Sequence, residues 1–125
     1  MPYSVTALPE LSAIEIKLSG KLSIEELRLV AAEVLYMAEQ TGFRRALADC
    51  RDYLGGASLG QVYFLTEQVT DRATTARGVE AFIAPTDRYV AADVQFYVNM
   101  ASARGTKVEI FPTREAAIQW MLARS

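Results

Sequence analysis

The chain has 125 residues, 51% of them hydrophobic and 22% charged, with 13 basic against 15 acidic side chains and a formal net charge of -2 at pH 7. That is enough apolar material for one domain with its own core, and the basic residues are scattered, which argues against a nucleic-acid surface. Histidine is absent and Cys50 is the single cysteine, so a Ser-His-Asp triad, a Cys-His pair, an internal disulfide and a clustered zinc site all fall away.

No apolar stretch approaches the roughly 20 residues of a spanning helix, and the amino-terminal residues lack a basic start followed by an apolar core. The expectation is a cytoplasmic protein with no membrane span, no nucleic-acid partner, no metal and no cofactor.

In chain order, Tyr3 to Leu8 and Ala13 to Leu18 read as two strands joined around Pro9-Glu10. Ile14, Ile16 and Leu18 alternate with Glu15 and Lys17, so an antiparallel pair with one solvated face is expected. Ser23 followed three residues later by Glu26 has the spacing of a capping box, and Leu27, Val30, Ala31, Val34, Leu35 and Ala38 then share one helical face that ends at Gly42. Ala46, Leu47 and Ala48 make a short buried strand, and a polar loop runs from Asp49 through Gly55, Gly56, Ala57 and Ser58 into a helix marked by Leu59, Val62, Leu65 and Val69.

Val79 to Ala84 is the next strand, after which Pro85-Thr86-Asp87 turns and caps a helix with Val90, Ala91, Val94, Tyr97, Val98 and Ala101 on one side. That helix carries a second apolar stripe, Tyr89, Ala92, Phe96, Met100 and Ala103. This is more apolar surface than covering one sheet face needs. After Gly105, Lys107 to Phe111 forms a last strand and Pro112-Thr113 starts a short helix with Ala117, Trp120 and Met121. Strands alternating with helices predict an α/β fold: a single domain over residues 1–125 with an N-terminal β-hairpin and a mixed, largely parallel sheet packed against helices.

Three segments, ALADCRD from Ala46, FIAPTDRYVAADVQFY from Phe82 and VEIFPTREAAIQWML from Val108, resemble the STAS fold of anti-sigma-factor antagonists. The resemblance is strongest to its SpoIIAA-like branch, described as related to the CRAL-TRIO lipid-binding fold. It implies a small regulatory or ligand-binding domain of bacterial type. Classical members carry an Asp-Ser pair at the strand-to-helix turn, with the serine phosphorylated to switch partner binding. Ser58 stands in the phosphoacceptor place, without the acidic residue before it.

Each candidate site also has a plain structural reading. Ser58 at a helix start is a possible phosphoacceptor or an ordinary N-cap. Asp49, Arg51, Asp52, Thr86, Asp87, Arg88, Thr113 and Arg114 would gather at the strand ends as a rim for an anion or ligand. Alternatively they serve as caps and surface ion pairs. Asp49 with Asp52 as an acid/base pair lacks a nucleophile. Cys50 beside Arg51 is either a lowered-pKa thiol or a small hydrophobe. Tyr53, Phe64, Tyr89, Phe96 and Met100 line an apolar pocket or a homodimer interface, or the helix that carries the second stripe is buried on two sides. The sequence therefore predicts a non-enzymatic module acting through protein partners, a homodimer included. The alternative is a carrier or sensor of a lipid-like molecule.

Overall fold

The computed structural model describes residues 2–76 and 78–124, with side chains for all of these except 66 and 69–76. The expected place of Val69 on its helical stripe lies outside the described side chains. Five strands, β1 (Tyr3–Leu8), β2 (Ala13–Gly20), β3 (Arg45–Tyr53), β4 (Val79–Ile83) and β5 (Lys107–Phe111), alternate after the first hairpin with α1 (Ile24–Thr41), α2 (Leu59–Ala76), α3 (Arg88–Ala103) and α4 (Arg114–Leu122). They form one sheet in the order β1-β2-β3-β4-β5, antiparallel between β1 and β2 and parallel thereafter.

This order decides the layering. Each parallel step moves one strand further in the same direction, and right-handed crossovers then place α1, α2 and α3 on the same face of the sheet. On that face Ala48, Cys50, Tyr53 and Val108 pack against Val90, Val94, Val98 and Ala101 of α3, with Leu27 of α1 alongside. The other face carries Ala13, Leu47, Val79, Ala81 and Ile83, closed by Ala117 and Met121 of α4. Because the strand order never reverses, the sheet has no switch-point crevice of the kind that binds ligands in doubly wound folds.

The capping box at α1 forms as its spacing predicts: Ser23 Oγ accepts from the Glu26 amide at 3.2 Å, and Glu26 Oε1 accepts from the Ser23 amide at 3.0 Å. Asp87 and Thr113 cap α3 and α4. Two expectations change. First, the chain from Asp49 to Tyr53 is strand, not loop. Lys17 pairs with Asp49 and Ser19 with Asp52, so β3 holds one extra residue against β2. That bulge lets Cys50 and Tyr53, three apart, face the same core. Second, the hairpin does not have a fully solvated face. β2 lies inside the sheet, and Ala13 and Glu15 are buried beneath the α4 side, leaving Lys17 exposed.

Candidate functional site

Three regions hold the residues singled out from the sequence. The first is the loop between β3 and α2, fixed to the chain ahead of α1 by two backbone bonds: the Leu54 amide to the Gly20 carbonyl and the Leu22 amide to the Gly55 carbonyl, both 2.8 Å. Ser58 follows, exposed, in a second capping box. Its Oγ accepts from the Gln61 amide at 3.2 Å while Gln61 Oε1 accepts from the Ser58 amide at 3.0 Å. The Ser-x-x-Gln spacing was readable in the sequence and points to the same cap. Ser58→Ala is expected to lower stability by about 1 kcal/mol in urea unfolding, with Ser58→Asp close to wild type because aspartate also caps.

Exposed apolar side chains occur in this loop and on α2 and α3. Leu54, Leu59, Phe64 and Tyr89 are 49%, 51%, 63% and 72% exposed. Tyr63 stacks edge-on against Phe64 at 5.9 Å between ring centroids. The loop reaches the start of α3, where a Cβ on Gly55 would lie 3.9 Å from Val90, beside Tyr89.

The second region is the predicted polar rim. Its residues lie in β3 and at the starts of α3 and α4, and most of its groups are engaged. Arg51 forms a two-pronged pair with Asp49, Nε to Oδ1 at 2.9 Å and Nη2 to Oδ2 at 2.7 Å, and this pair holds the Asp49 carboxyl below its usual range. Arg114 is directed to Glu15, with Nη2 and Nε at 3.0 and 3.3 Å from Oε2. Asp87 Oδ1 accepts from the Tyr89 and Val90 amides, and Thr113 Oγ1 accepts from the Ala116 amide. The Thr86 amide donates to the Arg51 carbonyl at 3.2 Å, Arg88 lies 5.0 Å over the Tyr89 ring, and Asp52 is exposed. Arginines already bonded to carboxylates offer little to an added anion. Asp49 and Asp52 also do not form an acid/base pair, because Arg51 keeps Asp49 ionised. Glu15 is the member that sequence reasoning missed; its partner lies 99 positions away.

The third region is a cavity of about 240 Å³ between the sheet and α1 to α3. Ile16, Ala46, Ala48 and Phe82 form its floor, Val34, Leu35 and Ala38 of α1 its roof, and Val62 and Leu65 of α2 with Val94 and Tyr97 of α3 its side. Of the five side chains expected in a pocket or interface, only Tyr53 is on its wall. Phe64 and Tyr89 point outward, and Phe96 and Met100 are half-buried on α3 away from it. The face of α3 left over by the sheet is met by α2, which Arg104 and Glu67 tie to α3 at 2.8 Å. Along the second stripe Phe96 and Met100 are half-buried, while Tyr89, Ala92 and Ala103 stay exposed.

Polar groups in the cavity are few. Tyr97 donates its hydroxyl to Glu80 Oε2 at 3.3 Å. Burial pushes the Glu80 carboxyl up to about 7, with the Tyr97 hydrogen bond opposing, and lifts the Tyr97 phenol well above its usual range. Cys50 also lines the space. Burial, helped by the Asp49 charge, pushes its thiol up to about 12, the reverse of activation by Arg51. The sign that sequence reading passed over is Glu80 itself, an acid inside the apolar run from Val79 to Ala84. Among the described residues no group of three or more His, Cys, Asp or Glu side chains is placed to hold a metal ion, and no helix is long and apolar enough to cross a membrane.

No family model and no curated protein matches the chain. Solved structures do. The anti-sigma factor antagonist SpoIIAA in its unphosphorylated form superposes with a TM-score of 0.62 at 14% identity, over 94% of this chain and 96% of its own. Bacillus SpoIIAA in the phosphorylated form gives 0.62 at 16% identity, over 94% and 97%. An uncharacterized protein of the DUF3478 family from Shewanella loihica PV-4, with a SpoIIAA-like fold, gives 0.62 at 16%, over 95% and 91%. At such identities the likeness speaks to architecture alone, which extends over nearly the whole chain: the chain has the SpoIIAA-like fold.

Proposed function

We propose that the chain is a non-enzymatic regulatory or binding module of the cytoplasm that acts through protein–protein contacts, docking partners on the surface around Ser58. The observation that carries this reading is the exposure of Leu54 in, and Leu59 just after, a loop tied down by two backbone hydrogen bonds, with Phe64 on α2 and Tyr89 on α3 exposed as well. Exposed aromatic and aliphatic groups gathered beside a polar tip are what a partner-binding patch requires. The fold is shared with SpoIIAA, solved in phosphorylated and unphosphorylated forms. Ser58, exposed at a helix start, has the access that such a modification needs.

The test compares wild type with a Leu59→Lys, Phe64→Lys double variant in affinity capture from cells of the source organism. A specific protein held by wild type and lost from the equally stable variant is the expected result, with Ser58→Asp altering its retention. Identical capture by both proteins would remove this surface from consideration. A second copy of the chain is one partner this reading includes, and native mass spectrometry of the same pair reads it directly: dimer for wild type, monomer for the variant.

A second reading, a carrier or sensor of a small apolar or amphipathic molecule, is favoured by a different observation. The cavity between the sheet and α1 to α3 is lined almost wholly by aliphatic and aromatic side chains.

A further inference from the structure

The cavity exists because small side chains face one another across it. Ala46 and Ala48 on β3 lie under Ala31 and Ala38 of α1, positions where leucine or isoleucine would fill the space. Ala46 is paired in register with Glu80, and Ala48 with Phe82, so the carboxyl of Glu80 stands beside the shortest stretch of wall. Glu80 is half-buried and lines the cavity. Its one hydrogen-bond partner among the described residues is Tyr97, which occupies Oε2.

An acid so placed calls for a counter-ion, and among the described residues the chain supplies none. Arg45 donates from Nη1 to the Leu11 carbonyl at 2.9 Å, on the side of the sheet that α4 covers. Arg44 is exposed, and its carbonyl accepts from the Val79 amide. From α3 the cavity receives Tyr97 and a second acid, Asp93, and from β3 Tyr53 and Cys50. Among the described residues the lining side chains of α1 and α2 are all apolar. Arg44 and Arg45 also border the space, but among the described residues neither forms an ion pair with Glu80, whose carboxyl is left without a counter-ion.

We infer that this cavity is a site for a small organic amine, an ammonium group on an apolar body of about ten non-hydrogen atoms, with Glu80 as counter-ion and Tyr97 holding its carboxyl in place. The size follows from volume: a cavity of about 150 Å³ takes a benzene ring, and this one is half as large again. The inference rests on the carrier reading and adds the charge of the ligand to it. Placing the charged end against Glu80 leaves the body to run along Ala48 toward Tyr53, over aliphatic wall.

Octylamine, 1-octanol and octanoate share one body and differ in the head group, so calorimetric titration with the three separates the alternatives. At about pH 8, where Glu80 is ionised and the amine protonated, octylamine binds about tenfold more tightly than octanol, and octanoate more weakly than either. Lowering the pH to about 5 weakens octylamine and leaves octanol unchanged, because the proton on Glu80 must then leave on binding. Glu80→Gln keeps the cavity and removes the preference. Ala48→Phe, or Ala31→Leu if that variant does not fold, blocks all three probes. Octanol or octanoate binding as tightly as octylamine, or a preference that survives Glu80→Gln, overturns the amine assignment and leaves the carrier reading standing. Binding undiminished by a plugged cavity overturns the site, and no binding of any probe overturns both.

Discussion

Replacing Gly56 by alanine is expected to lower the stability of the domain by about 3 kcal/mol, seen as a fall in Tm on the order of 10 °C. Gly56 has φ of 115°, where a side chain is strained, and a Cβ built there would lie 2.5 Å from the Leu22 carbonyl oxygen and 2.9 Å from its amide nitrogen. The obstacle is backbone, which cannot rotate out of the way. Leu22 is fully buried and its amide is bonded to the Gly55 carbonyl, so relief requires breaking that bond or lifting Leu22 out of the core. Gly60→Ala is the control. It lies within α2, its Cβ would meet only Ser58 Oγ at 3.9 Å, and alanine there should raise stability by up to about 1 kcal/mol. A loss below about 1 kcal/mol for Gly56→Ala would mean that the loop yields easily. In that case the surface around Ser58 is not held rigidly for a partner, and the docking proposal loses its physical basis.

The elements most legible in the sequence were those whose determinants are local. Ser23 and Glu26 satisfy each other across one helical turn, Asp87 and Thr113 cap the helices they precede, and the strand from Lys107 to Phe111 follows from its alternation and its flanking Gly105 and Pro112. Determinants set by distant neighbours were not legible. Asp49, Arg51 and Asp52 read as loop by composition, yet pairing with β2 makes them strand, and the bulge that aims Tyr53 inward depends on that pairing. Glu15 alternates like a solvent-facing residue and is buried because α4, folded from the end of the chain, brings Arg114 over it. The aromatic stripe on α3 carried a real surplus of apolar surface, but its split into half-buried Phe96 and Met100 and exposed Tyr89 depends on neighbours that its own spacing does not reveal. The cavity was least visible of all, since it is made by alanines on elements far apart in sequence.

The second large effect concerns that cavity. Glu80→Gln is expected to leave stability nearly unchanged near pH 4 and to raise it by roughly 3 kcal/mol at pH 8. The sign follows from the direction of the shift. The folded protein holds the Glu80 carboxyl up at about 7 against an ordinary value of 4.5, so the folded state keeps its proton where the unfolded chain has released it. The stabilisation of the protonated form is complete below about pH 4.5 and is lost as pH rises through 7, after which the penalty of an ionised, desolvated carboxylate is constant. Glutamine retains a polar partner for the Tyr97 hydroxyl and carries no charge, so its curve lacks that loss. Asp49 moves the opposite way, its lowered value adding stability as pH rises through the acid range, but it does so in both proteins and cancels in the difference. Urea unfolding across this range measures the gap. Curves that run parallel from acid to alkaline pH would place the Glu80 carboxyl in water, and the chamber would then be an open, hydrated groove. A gap that opens as expected, and that closes when octylamine is added to the wild type at pH 8, would show the missing positive charge being supplied from outside the chain.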